Sequence, residues 1–292
     1  MSVTAVITDT APAGRRQGRR ALRRLLRRPP AVAGLAGVVV VILVAITAPW
    51  ISPYGPLQVH YTDVLAGPFS PGHVLGTDDL GRDILSRILW GARVSVLEGV
   101  GATAIAAVIA VTIGIVAGYY RGWVDGLFMR VNDVVLSFPF IILAVGLAAI
   151  LGPSLVNAMI ALAVGLIPVF LRVSRGEMLA IREEDYVAAA IVNGAGLRTV
   201  LFRHALPNMI SPLSVQVTVA IPGAIIGAAV LSFLGLGVQP PTADWGSMLS
   251  EAQSYLSKAP TFAVFPGLAI ALTTMSFNLL GDGLRDVLDP RG

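Results

Sequence analysis

Cysteine is absent from this 292-residue chain. That excludes a disulfide framework, a thiolate metal site and a thiol nucleophile. Histidine is scarce as well: His60, His73 and His204 stand far apart in sequence with no partner at ligand spacing, so no metal site is expected. Charge is thin. Asp, Glu, Lys and Arg make up 13% of residues, against roughly 25% in a soluble globular chain. There is no G-x-x-x-x-G-K-(S/T) phosphate loop, so the chain itself is expected neither to bind nor to hydrolyse ATP, and no other cofactor is expected on it. No nucleophile–base pair or metal constellation supports a membrane enzyme.

What is present is apolar. Hydrophobic residues make up 55% of the chain and mean hydropathy is +0.78, a balance that is solvated mainly by lipid. The apolar runs extend from end to end, which favours one integral all-α bundle over separate domains. Six runs are long enough to span a bilayer: Ala31–Ile51, Val94–Tyr119, Val134–Leu151, Leu155–Val173, Ile210–Phe233 and Phe262–Leu280. The organisation expected is a basic arm (1–30), a first span (31–51), an outer segment (52–93) and a core of five spans (94–292) that carries a polar loop at 172–208.

Arginine decides the orientation. Eight arginines (Arg15, Arg16, Arg19, Arg20, Arg23, Arg24, Arg27 and Arg28) precede the first span. A cleaved leader is disfavoured because the following run has full spanning length and Pro49 follows the best small-residue cleavage position, Ala48. A nucleic-acid arm is disfavoured by the span next to it. The arm reads as a cytoplasmic flank that touches anionic lipid, with residues 1–14 disordered. With the N-terminus inside, 17 of the 21 Lys and Arg residues fall on inner segments, and only Arg82, Arg87, Arg93 and Lys258 fall outside. Both termini and the 172–208 loop are therefore expected in the cytoplasm.

That loop is too long for a turn and too polar for lipid. Its pattern predicts two short helices joined at Gly194-Ala195-Gly196, where glycine permits a left-handed turn. Pro207 is expected to close the second helix. Glu183, Glu184 and Asp185 lie on the first helix, and Arg198 and Arg203 on the second. Outside, Ile84, Leu85, Ile88 and Leu89 recur at helical spacing among Arg82, Asp83, Ser86 and Arg87. This predicts an amphipathic helix along the outer membrane surface. Turn and cap chemistry accounts for Asp78, Asp79 and Asp83 without a catalytic role.

Polar residues within spans are mild: Asn157, Ser214, Gln216, Thr218, Thr273, Thr274, Ser276 and Asn278. The plain reading is hydrogen bonding between helices that small residues bring close. Gln216 and Asn278 are the candidates for a translocation path. Glu98 is the one acid well inside a span; it is expected near the interface, solvated and close to Arg93. Pro168 and Pro222 are expected to kink their spans.

From about Arg20 to Arg291 the chain resembles the C-subunit type of inner-membrane permease of bacterial ATP-binding-cassette importers for dipeptides, oligopeptides and nickel. That family carries Glu-Ala-Ala, three residues, Gly, nine residues, then Ile-x-Leu-Pro. Here the stretch reads Ala188-Ala189-Ala190, Gly194, His204-Ala205-Leu206-Pro207. The spacing is intact, with Ala188 and His204 as departures; Ala228, where relatives often carry Glu, is another. LGTDDLGRDILSRILWGAR (75–93), SFPFIILA (137–144), LSFLGLGVQPPTADWGSML (231–249) and FPGLAIALTTMSFNLLGDGLRDVLDPR (265–291) are similar to family segments in the same order.

The resemblance implies a type I importer permease fold with six transmembrane helices, in the bacterial inner membrane. It implies a second permease subunit, two cytoplasmic ATPase subunits holding ATP and Mg2+, and an extracytoplasmic solute-binding protein. It places the ATPase-coupling surface at Glu184, Asp185, Tyr186, Ala188, Ala189, Ala190, Gly194, Leu206 and Pro207. Di- or oligopeptides are the expected cargo. The alternatives are nickel or another small solute, or a self-sufficient secondary transporter, against which stand the absence of a visible inverted repeat and of buried coupling-ion ligands.

Overall fold

A computed structural model of the chain describes residues 24–288. The expected disorder of residues 1–14 and the arginines Arg15 to Arg23 lie outside the described residues. The described part is helical: α1 (Pro29–Ile51), α2 (Ile84–Tyr120), α3 (Gly122–Leu136), α4 (Phe140–Leu151), α5 (Leu155–Arg182), α6 (Asp185–Val192), a short α7 (Leu197–Thr199), α8 (Leu206–Phe233), α9 (Trp245–Ala252) and α10 (Thr261–Leu288). Five are long and apolar enough to cross a membrane, and α3 with α4 makes a sixth span only as a bent pair.

α5 and α10 run past the expected span ends, to Arg182 and Leu288, and two elements differ in kind from the sequence reading. The predicted surface helix at Ile84–Leu89 is the beginning of α2, one continuous helix of 37 residues and about 55 Å. Asp83 starts it by accepting from the Ser86 N–H at 2.8 Å, an ordinary N-cap. Nothing in the sequence stops the helix before Tyr120, so the amphipathic turns continue the span. The predicted straight span Val134–Leu151 is broken at Ser137-Phe138-Pro139, where α3 and α4 meet at 92°. Pro139 pushes its predecessor out of the helical region, so the chain turns there.

Small residues set how the bundle closes. Along α2 a face of Gly99, Ala102, Ala106, Ala110, Gly114 and Gly118 is buried. Gly114 and Gly118 form a G-x-x-x-G pair against α5. A Cβ on Gly118 would lie 2.8 Å from the Met178 Cβ, and one on Gly114 would run into the Ser174 hydroxyl and, at 3.0 Å, the Arg175 amide nitrogen. Ser174 also donates across this crossing to the Ala110 carbonyl at 3.2 Å. On the other side of the bundle α1 meets α10, where Gly34 faces the backbone of Leu279 and Leu280.

The remaining span hydroxyls mostly do not bridge helices as expected. Ser214, Thr218, Thr274 and Ser276 donate to carbonyls of their own helices, and Asn157 donates to the Leu151 and Gly152 carbonyls at the loop before α5. A hydroxyl in lipid finds its nearest acceptor one turn back. Pro168 and Pro222 are buried inside helices that continue through them. Ala228 is buried in an apolar cluster with Ala102, Leu162 and Leu231, partly covered by Phe140, so this chain offers no ion pair there.

Candidate functional site

The loop at 183–208 is built on the ends of three long helices. α5 stops at Arg182, whose guanidinium donates to the Tyr119 carbonyl and lies over the Tyr119 ring at 5.4 Å. Glu183 caps α5 and pairs with Arg121. Asp185 then opens α6, where an acid suits the positive end of the helix dipole. Thus Glu183 and Glu184 stand before the first loop helix, since α5 and α6 are separate. At the far end Gly194 adopts φ +85° and the Ala195 amide reaches back to the Ala190 carbonyl at 2.9 Å. That six-to-one bond is a Schellman cap.

Among the described side chains of α6, only one is fully buried. Val187 enters a cluster of Ile115, Met178, Ile181, Val200, Ala205 and Met209, drawn from α2, α5, the segment before α8 and the start of α8. Ala188 and Ala189 are exposed and Ala190 half-buried; Val192 is 87% exposed and Phe202 69%. Two of the three alanines thus lie open and the third is half-buried. Tyr186 is exposed, its ring 5.7 Å from that of His204, and its hydroxyl accepts from Asn208 at 3.0 Å. Leu206 is half-buried.

Pro207 does not end a helix. A π-helical segment at Val200–Ala205 runs directly into α8, with Pro207 in the first turn of α8. There its missing N–H is no loss and its fixed φ suits a helix start. The second half of the loop is thus continuous with a membrane span.

Ion pairs fasten this end of the bundle. Arg175 forks onto Asp125 of α3, with one N···O at 2.6 Å, and Arg172 meets Asp133 at 3.0 Å. Arg28, just before α1, pairs with Asp286 near the end of α10. Between α5, α8 and α10 opens a cleft of about 660 Å³, lined by Glu177, Asn208, Ser211, Gln216 and Arg285 among apolar neighbours. Gln216, a predicted path residue, lines it; Asn278 is exposed on α10 and does not.

The other end of the bundle holds what sequence reasoning missed. Asp78 is fully buried and binds both Arg82, at 2.6 Å, and Arg87. The two arginines also reach Glu251 on α9, at 3.0 and 2.7 Å. Asp78 further accepts from the amides of Leu80 and Arg82, so the expected turn chemistry is there with an ionic knot added. Asp79, Asp78 and Glu251 converge closely enough for a cation, but Arg82 and Arg87 already supply the positive charge. Burial, followed by Asp78 and Glu251, raises the Asp79 carboxyl above its ordinary value.

His60 and His73, distant in sequence, meet edge to face with ring centroids 5.0 Å apart, and His73 meets Asp83 at 2.9 Å. Glu98 is fully buried rather than solvated near Arg93, and neither carboxyl oxygen has a hydrogen-bond partner among the described residues. The reason is α9, which packs over the start of α2: Asp244 receives Ser95, and the Trp245 indole donates to the Ile88 carbonyl. The available signal was the set of charges Asp78, Arg82, Arg87 and Glu251 flanking apolar spans without obvious solvent.

Residues 110–291 match the family described as binding-protein-dependent transport system inner membrane component. Residues 16–68 match the N-terminal TM domain of oligopeptide transport permease C. The dipeptide transport system permease protein DppC of Alkalihalophilus pseudofirmus is 43% identical over 94% of this chain and 90% of its own length. The glutathione transport system permease protein GsiD of Pectobacterium atrosepticum is 46% identical over 92% of this chain and 89% of its own length. Its namesake in Escherichia coli O157:H7 is 47% identical with the same coverage. An inward-facing structure of the MetNI methionine ABC transporter shares the fold, with TM-score 0.50 and 20% identity over 66% of this chain and 94% of the other.

Proposed function

The chain belongs to the binding-protein-dependent transport system inner membrane component family, and from that premise we propose that it passes di- and oligopeptides across the membrane with a second permease subunit. It is a multi-pass inner-membrane protein of bacteria and a permease subunit of an ATP-binding-cassette importer, not an enzyme. Peptide cargo is supported by the names of relatives, which are dipeptide and glutathione permeases. ATP and Mg2+ belong on two cytoplasmic ATPase subunits, and an extracytoplasmic binding protein delivers the cargo. The 183–208 loop faces the cytoplasm on this reading, in keeping with the arginine bias. The basic arm then meets anionic lipid.

One observation carries the assignment of the loop: α6 ends in a Schellman cap and, among its described side chains, buries Val187 alone, leaving Ala188, Ala189 and Val192 in the open, as is Phe202 in the segment that follows. A short helix this poorly covered suits a groove on another protein, where small side chains allow close approach. Nucleotide-driven closure of the ATPases would move α6, and with it the ends of α2, α5 and α8, as a rigid-body switch. Ala189→Arg and Gly194→Trp test this in vesicles holding the complete importer. Both are expected to abolish uptake while membrane insertion stays normal. Normal uptake in both variants would refute the docking role.

A further inference from the structure

The cleft between α5, α8 and α10 differs from the rest of this end of the bundle in its charges. Around it, opposite charges neutralise one another: Arg28 with Asp286, Arg121 with Glu183, Arg172 with Asp133, Arg175 with Asp125. Glu177 and Arg285 line the cleft, and neither has an ion-pair or hydrogen-bond partner among the described residues. Glu177 is half-buried near the end of α5 and Arg285 is exposed near the end of α10, so both charges are open to a ligand in the cleft.

Between these charges the lining is neutral and polar. Ser211 and Gln216 contribute side chains. Pro212 has no N–H, so the Asn208 carbonyl one turn earlier lacks its helical donor. From Asn208 to Val219 the α8 wall runs roughly 16 Å, and a volume of about 660 Å³ lies within the range of small-molecule sites. We propose that this cleft is a station for a short zwitterionic peptide, with Glu177 receiving its ammonium group and Arg285 its carboxylate. Valine side chains between them give room without selecting particular residues, so recognition rests on the two termini that all such peptides share. The proposal rests on the peptide-transport reading and assigns to this subunit part of the cargo's contact on the coupling-loop side. Asn208 joins the site to α6, because the same side chain amide reaches the Tyr186 hydroxyl at 3.0 Å.

The test uses the assembled importer in lipid nanodiscs without its binding protein, and alanyl-alanine as probe. Equilibrium binding should be detectable and should weaken at least about tenfold when the probe is N-acetylated or carboxamidated, the loss of roughly one ion pair's worth of affinity. Glu177→Gln should weaken alanyl-alanine binding similarly but leave the N-acetyl probe unaffected; Arg285→Gln should do the same for the amide probe. Because the chain has no cysteine, Val215→Cys gives a unique thiol in the cleft, and its labelling should be slowed by alanyl-alanine. Equal affinity for free and blocked probes, wild-type affinity in both variants, or a thiol sealed by a partner subunit before peptide is added would each overturn the assignment. If vesicles with all components still take up peptide in those cases, the cleft assignment alone falls. If they take up none, the transport reading falls with it.

Discussion

Replacing Arg87 with leucine removes one arm of the ionic knot that ties the segment between α1 and α2 to α2 and α9. Arg87 is 1% exposed and Asp78 fully buried; Arg87 also holds Glu251 through N···O contacts of 2.7 and 3.3 Å. Without it, Asp78 and Glu251 share Arg82 alone, and one negative charge is left uncompensated in a nearly closed space. Breaking a buried pair from one side costs about 3–5 kcal/mol. For the purified protein in detergent that corresponds to a fall in Tm of the order of 10 °C. Trp245 is an internal reporter, since its indole donates to the Ile88 carbonyl one residue beyond Arg87. Adding Glu251→Leu restores neutrality, with Asp78 and Arg82 still paired. The double variant should therefore lie within about 1 kcal/mol of the parent, because well-packed apolar residues often replace a buried ion pair without loss. If Arg87→Leu costs less than about 1 kcal/mol, or if the two substitutions simply add, the knot is not a compensated charge cluster and this reasoning fails.

Asp79 gives a pH signature. Its carboxyl is raised in the folded state, so folding favours the protonated form; that contribution is present below the unfolded pKa and lost as pH rises through the folded one. Asp79→Asn should therefore gain on the parent in Tm as pH rises from about 4 towards neutrality; a pH-independent difference would contradict the assignment. Gly114→Leu has no room against Ser174 and Arg175 and should destabilise by about 1–3 kcal/mol or more, with a lowered Tm as the readout. A Tm unchanged from the parent would show that α2 and α5 do not cross there. Val187→Ala removes a buried anchor of α6 and should reduce uptake more than ATP hydrolysis by the partner subunits; an equal fall in both would argue that Val187 serves stability alone.

The apolar runs located the long helices, because spanning length is set by the bilayer and only composition has to be read, but α2 begins ten residues before its run and α5 and α10 continue nine and eight residues past theirs. Gly194 was legible for a similar reason: a helix that must stop in a left-handed turn favours glycine, and its φ is +85°. The bend at Ser137–Pro139 had a signal in Pro139, but a continuous apolar composition on both sides concealed it. Arg87 and Glu98 could not be read. The periodicity of Ile84–Leu89 fits a helix lying on a membrane as well as it fits the first turns of a long span. What decides between them is α9, whose Glu251 is 164 positions from Arg87. Pro207 was misread because proline breaks a helix interior yet suits a first turn, and the π segment before it leaves no mark in composition.

The two halves of the loop differ mechanically, and that difference limits how a load could travel. α6 is joined to its neighbours by short links at Glu183–Glu184 and Gly194–Gly196, so by itself it can tilt. The segment after it cannot, since Val200–Ala205 is helical and continues into α8. A force on α6 therefore enters the bundle at the Val187 contact with Met178, Ile181 and Met209, and at the hydrogen bond from Asn208 to Tyr186. The first reaches the ends of α2, α5 and α8 and the second α8, and α5 and α8 carry Glu177 and Gln216 into the cleft. Displacing α6 without changing the shape of that cleft would require the Val187 cluster to yield, and close-packed interiors resist this because they do not deform continuously. Movement of the loop helix and remodelling of the cleft are on these grounds one event.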